Sequence, residues 1–170
     1  YYNYNNYNMK IVNGPFPQEL EANFTEVFAK WDFPLSDFQK WAIYSAYNNN
    51  DTLVCAPTGS GKTLPADFII DYVTSRGKKV IYTTPIKALS NDKLAEMTEK
   101  FPNISFGLLT GDNKFNPEAQ VLIMTTEIYL NTLLKLLFMK SQEDYDPKKL
   151  SLEFNMNIDE ELGFVIHDEI

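Results

Sequence analysis

Two short stretches of this chain carry residues whose types and spacing can do chemistry. Ala56-Pro57-Thr58-Gly59-Ser60-Gly61-Lys62-Thr63 closes an apolar run, Thr52 to Ala56, and precedes a segment with helical patterning. A tight turn at such a place points several backbone N–H groups inward at one anion. Gly59 and Gly61 permit that backbone and let a phosphate approach without a Cβ in the way. Lys62 supplies a cation for β- and γ-phosphates, and Thr63 a hydroxyl for Mg²⁺. About 100 residues later, Asp168-Glu169 ends the apolar run Phe164-Val165-Ile166. An aspartate at the carboxyl end of a strand can hold Mg²⁺ beside phosphates. The next carboxylate can orient and deprotonate a water. Together the two stretches imply ATP chemistry. A third pair fits the same ligand: the Gln39 amide can donate to and accept from an adenine edge, and Phe33 can stack on the base.

The elements that must position these residues alternate in type. Ser36 can cap a helix through Phe38, Ala42, Ile43 and Ala46, ended by Asn48-Asn49-Asn50. Residues 52–56 read as a short buried strand, followed by the glycine loop and a helix from Lys62 to about Thr74. Strands are expected at Val80–Thr84, Ile104–Leu109, Val121–Thr125 and Phe164–Ile166, with helices at Lys87–Lys100 and 127–138. Such alternation predicts an α/β fold with a mostly parallel sheet. Residues 1–17 are expected to be a tail, of which 1–8 are Tyr/Asn-rich and low in complexity. The remainder, 18–170, reads as one domain carrying a polar, acidic insertion at about 139–161.

Composition narrows the classes. The chain has 170 residues, a domain's worth, and a formal charge of −8. That charge argues against a broad, unspecific nucleic-acid surface and leaves room for a narrow track. Seven acids against three lysines fall in residues 140–161. The single cysteine, Cys55, cannot form an internal disulfide, is expected to be a buried thiol, and points weakly to an intracellular compartment. No stretch approaches the 18 apolar residues of a membrane span, so no membrane partner is expected. The amino terminus has no signal-peptide pattern.

In order, these residues resemble the first RecA-like lobe of superfamily 2 helicases. More narrowly they resemble DExH-box RNA helicases of the superkiller/exosome-cofactor class. Phe33-Pro34-Leu35-Ser36-Asp37-Phe38-Gln39 is similar to that family's adenine motif, including the six-residue step from Phe33 to Gln39. Ala56 to Thr63 corresponds to motif I, and Thr84-Pro85-Ile86-Lys87-Ala88-Leu89-Ser90-Asn91 to motif Ia. Leu109-Thr110-Gly111-Asp112 resembles the Thr-Gly-Asp motif, Met124-Thr125-Thr126-Glu127-Ile128 motif Ib, and Asp168-Glu169-Ile170 the start of motif II. The resemblance implies a P-loop NTPase fold, a RecA-like three-layer sandwich incomplete at its C-terminus. It implies ATP and Mg²⁺ as cofactors. ATP would be bound by Phe33, Gln39, Pro57, Thr58, Gly59, Ser60, Gly61, Lys62 and Thr63. Thr63 and Asp168 would hold Mg²⁺, and Glu169 and Lys62 would be catalytic. Pro85, Lys87, Thr110, Gly111, Thr125 and Thr126 would track a single strand's backbone, RNA rather than DNA, without reading bases.

Two departures stand out. Motif I carries the general superfamily wording, Pro-Thr-Gly-Ser-Gly-Lys-Thr, and His167 occupies a place usually aromatic or apolar. His167 is expected to be a partly buried neighbour. The motif III strand and the second lobe lie beyond Ile170 in the family. The strands at 52–56 and 164–166 are therefore expected to pair directly, to gain a strand from another chain, or to stay loosely held. An unpaired edge invites self-association. The complete enzyme would couple ATP hydrolysis to translocation or unwinding with a second lobe in cis or in trans. The alternatives are a DNA translocase of the same superfamily and a non-catalytic nucleotide-binding module that acts through partners.

Overall fold

The computed structural model describes residues 10–141 and 156–169. Most of the acidic stretch, the first nine residues and Ile170 lie outside them. The described chain forms two compact units whose boundary, between Ile69 and Ile70, falls within one helix.

The first unit contains helices α1 (Gln18–Asn23), α2 (Thr25–Phe28) and α3 (Asp37–Tyr47) and the first half of α4 (Thr63–Thr74). Ser36 caps α3 in a capping box with Gln39, whose Oε1 accepts the Ser36 N–H at 2.9 Å. The helix stops as expected at the asparagines, Asn49 adopting φ 56°. Ala42, Ile43 and Ala46 face its core. The short helices α1 and α2 have no periodicity long enough to read from sequence. They carry Phe24 and Phe28 into an aromatic cluster with Phe16, Trp41, Tyr44 and Tyr47. Phe16 sits in the stretch expected to be tail, yet it is buried, and its N–H donates to Asp37 Oδ1 at 2.8 Å.

The expected strand at 52–56 does not form. An extended segment becomes a strand only when a neighbour exchanges N–H···O bonds with it, and no such partner exists for it among the described residues. Leu53 is accordingly 72% exposed. Cys55, expected as a core thiol, is exposed too.

The second unit is built on a five-stranded sheet in the order β3-β2-β4-β1-β5. The strands are β1 (Lys79–Thr84), β2 (Phe106–Leu109), β3 (Lys114–Phe115), β4 (Val121–Thr125) and β5 (Leu162–His167), with only β3 antiparallel. Helices α5 (Lys87–Lys100), α6 (Thr126–Lys140) and α7 (Ile158–Glu161) complete it. Side chains alternate along a strand. Ile81 packs with Leu122, Met124 and Leu136 on the face covered by α6. Thr84 turns to the other face, where its hydroxyl meets that of Ser90 on α5 at 2.7 Å. Strand β4 is buried throughout and β1 from Val80 onward, as apolar runs flanked by strands on both sides should be. Strand β5 was expected to be buried as well, but it is only half-buried. Among the described residues it pairs with β1 alone.

Candidate functional site

The glycine loop lies in the first unit and leads directly into the N-terminus of α4. Gly59 and Gly61 adopt φ 78° and 83°, where an L side chain is strained. Ser60 donates through both N–H and Oγ to Pro57 O, at 3.3 and 2.7 Å. Lys62 Nζ donates to Ala56 O at 2.7 Å. Gln39 is buried, and its Nε2 donates to Gly61 O at 3.2 Å while its Oε1 serves the α3 cap. A Cβ at Gly61 would stand 2.6 Å from that Nε2. The loop is thus closed on its own carbonyls and on one amide. Pro57, Thr58 and Lys62 are exposed, and Thr63 is the first residue of α4. Phe33, on a bend before Pro34, is half exposed at 49%.

The carboxylate pair lies in the second unit, just after β5. The Asp168 N–H donates to Thr83 O at 3.0 Å, continuing the ladder past the strand. Asp168 Oδ2 accepts the Tyr82 hydroxyl at 2.6 Å. Glu169 is exposed and has φ 56°. His167, expected to be partly buried, is exposed but engaged: Nδ1 meets Thr83 Oγ1 at 2.7 Å, and its ring lies 5.6 Å from that of Tyr129. Burial pushes the Tyr129 phenol above its ordinary pKa.

The residues expected to track a strand also lie in the second unit, at the carboxyl ends of β1, β2 and β4. Parallel α/β sheets bind ligands at that end. Pro85 is exposed and precedes α5, which opens on Lys87. A lysine at a helix N-terminus opposes the helix dipole; here it forms an ion pair with Asp112. A Cβ on Gly111 would lie 3.5 Å from Lys87 Nζ, so these three residues are neighbours. The Thr110 N–H donates to Asn113 O at 2.9 Å, and its Oγ1 accepts the Asn113 N–H at 3.2 Å. Thr126 Oγ1 donates to Thr84 O at 3.2 Å, and Thr125 is buried. Pro85, Lys87, Gly111 and Thr126 are therefore the exposed residues of this edge, Thr110 is half-buried, and Thr125 is buried.

Two contacts were not foreseen from sequence. Asp112 stood in a recognised motif without a role, and Tyr82 stood in an apolar strand. The signal for Tyr82 is its type: a buried tyrosine needs an acceptor for its hydroxyl, and the run Val80-Ile81-Tyr82 offers none of its own.

Comparison with known proteins fits this geometry. The mostly parallel sheet is the RecA-like helicase fold. The DUF1998 helicase MrfA, in a structure with DNA and AMPPNP, superposes with a TM-score of 0.53 at 20% identity, over 75% of this chain and 20% of MrfA. Residues 36–170 match the DEAD/DEAH box helicase family, and the chain belongs to it. It is 43% identical over 116 residues to the chloroplastic DExH-box ATP-dependent RNA helicase DExH15 of Arabidopsis thaliana, covering 68% of this chain and 10% of that protein. It is 39% identical over 158 residues to mRNA transport homolog 4 of Caenorhabditis elegans, covering 93% of this chain and 13% of the relative. Human exosome RNA helicase MTR4 is 44% identical over 116 residues, 68% of this chain and 11% of MTR4. The chain thus spans about a tenth of the length of these relatives. Among the described residues no helix is long and apolar enough to cross a membrane.

Proposed function

We propose that this chain is the ATP-binding part of an RNA helicase of the superkiller/exosome-cofactor class. Its hydrolysis of ATP would drive movement along single-stranded RNA once a second lobe is present. The observation that carries this is the glycine loop, with Gly59 and Gly61 at positive φ, leading into α4. The names of DExH15 and MTR4 favour RNA over DNA.

In this reading Lys62 leaves Ala56 O for the β- and γ-phosphates, while the N–H groups of residues 58–63 face the anion. Phe33 stacks on adenine. A glutamine amide has two N–H donors and two acceptor lone pairs. Gln39 uses one of each, on Gly61 and Ser36, which leaves one of each for the adenine edge.

The residues also fit Mg²⁺. That ion takes oxygen ligands and is usually held by one or two carboxylates plus substrate phosphates. Among the described residues no group of three His, Cys, Asp or Glu forms an all-protein cage. Asp168 would give its Oδ1 to the ion, and Thr63 would give its hydroxyl. Bound Mg²⁺ would neutralise phosphate charge. Glu169 would orient and deprotonate the attacking water. Pro85, Lys87, Thr110, Gly111 and Thr126 would contact the RNA backbone, with Thr125 beneath them.

The test is binding of a fluorescent ATP analogue with Mg²⁺, with and without single-stranded RNA, in the wild-type chain and in Lys62→Ala. Loss of two charge-assisted bonds, roughly 1.5–3 kcal/mol each, lowers affinity about 100-fold or more. Equal affinity in Lys62→Ala refutes the loop assignment, and matched DNA binding equal to RNA binding refutes the substrate preference.

A further inference from the structure

We propose that Tyr82 is a positioning residue for the Asp168 carboxylate, fixing which oxygen faces Mg²⁺; the inference rests on the magnesium role given to Asp168 above. Tyr82 is 1% exposed, so its hydroxyl has no water to turn to. It lies on the face of β1 opposite Ile81, and in the β1–β5 register it stands beside Ile166. Asp168, two residues past Ile166 and just beyond the end of β5, projects to the same face by strand alternation. Its Oδ2 accepts the hydroxyl at 2.6 Å. The backbone of Asp168 is pinned independently, by its N–H to Thr83 O. The side chain therefore has one oxygen held from below and the other directed away from the phenol.

A carboxylate at the end of an edge strand otherwise turns about its own side-chain bonds. Mg²⁺ tolerates little departure from octahedral geometry. A buried hydroxyl that removes this freedom does for Asp168 what outer-shell partners do for metal ligands generally, and their loss typically weakens metal binding 10- to 100-fold. The strand needs no tyrosine for packing, since phenylalanine fills the same volume. The hydroxyl is the part that reaches the site.

The experiment is a Mg²⁺ titration of fluorescent ATP-analogue binding to the whole chain, wild type against Tyr82→Phe, with affinity in EDTA measured for both. The expected result is a half-saturating Mg²⁺ concentration raised about tenfold in Tyr82→Phe, with metal-free affinity unchanged. In an Asp168→Asn background the Tyr82→Phe change should disappear. An unchanged half-saturation overturns the inference alone. An equal loss of metal-free and metal-bound affinity also overturns it, because a purely structural tyrosine would act on both. A wild-type chain whose nucleotide binding ignores Mg²⁺ overturns the magnesium role of Asp168 and this inference with it.

Discussion

The glycine loop and the end of β5 are held in opposite ways. The loop is exposed and folded on itself: Lys62 on Ala56, Ser60 on Pro57, Gly61 on Gln39. The Lys62 and Ser60 bonds use groups that a phosphate would need. The end of β5 is held by groups no ligand would take, the Thr83 carbonyl, which accepts the Asp168 N–H, and a buried phenol. On the function proposed above, the loop would have to rearrange to bind nucleotide, and the Asp168 backbone would be held before any ligand arrives. The difference follows from what flanks them. The segment before the loop pairs with no strand among the described residues, whereas β5 is zipped to β1 over five residue pairs.

Gly61→Ala should break the loop most severely. The residue sits at φ 83°, and the new Cβ would meet Gln39 Nε2 at 2.6 Å. Left-handed backbone at a non-glycine costs roughly 1–3 kcal/mol. We expect nucleotide-analogue binding to fall by up to about 100-fold and the melting temperature to drop; unchanged binding would mean that the loop does not need this conformation. Asp168→Asn is next. It leaves an acceptor for Tyr82, so thermal stability should move by less than about 1 kcal/mol, while Mg²⁺ dependence of binding is lost. A large stability loss with Mg²⁺ dependence intact would reverse the comparison, making the strand end scaffold rather than site.

Much of this was legible in the sequence because period and punctuation agree there. Helix α5 was read at Lys87–Lys100 and appears over those residues. The capping signal at Ser36 and the strands at 80–84 and 121–125 were equally plain. The run 52–56 misled because an apolar segment records only a wish to be buried; a strand also needs a neighbour, which the segment cannot encode. Phe16 misled in the other direction, since one aromatic among polar residues has no period. The loop chemistry was visible in glycine and lysine spacing. Lys62 closing on Ala56, Gln39 bridging to Gly61 and Tyr82 beneath Asp168 are contacts between distant or opposed atoms, and only the fold brings them together.

Lys87 offers a way to extend the comparison to the edge proposed for nucleic acid. Its partner Asp112 is a carboxylate that would compete with a backbone phosphate under that proposal, so this region resembles the loop in being closed on itself. Both side chains are more than half exposed, and such pairs are worth about 0.2–1 kcal/mol. Asp112→Asn should therefore tighten single-stranded RNA binding by up to about fivefold. The gain should vanish in a Lys87→Ala background. A gain that persists there would be a general charge effect and would remove Asp112 from any competition for Lys87.

The smallest effect belongs to the start of β5. Glu161 Oε2 accepts the Asn157 N–H at 2.6 Å, and its Oε1 pairs with Lys79 at 3.0 Å. The backbone bond first, and then Lys79, hold its carboxyl below the ordinary value of 4.5. A lowered carboxyl pKa favours the folded state once the unfolded chain's glutamate is ionised. The contribution is thus full above about pH 4.5 and is lost as acid protonates the folded carboxylate below it. Because the Glu161 side chain keeps 40% of its surface in solvent, Glu161→Gln should cost under about 1 kcal/mol at neutral pH. Denaturant melts of the two chains should converge as pH falls through 4.5 and below. A gap that stays constant into acid would mean that Glu161 acts by packing against Lys79 and Asn157, and that the entry to β5, unlike its end, owes nothing to charge.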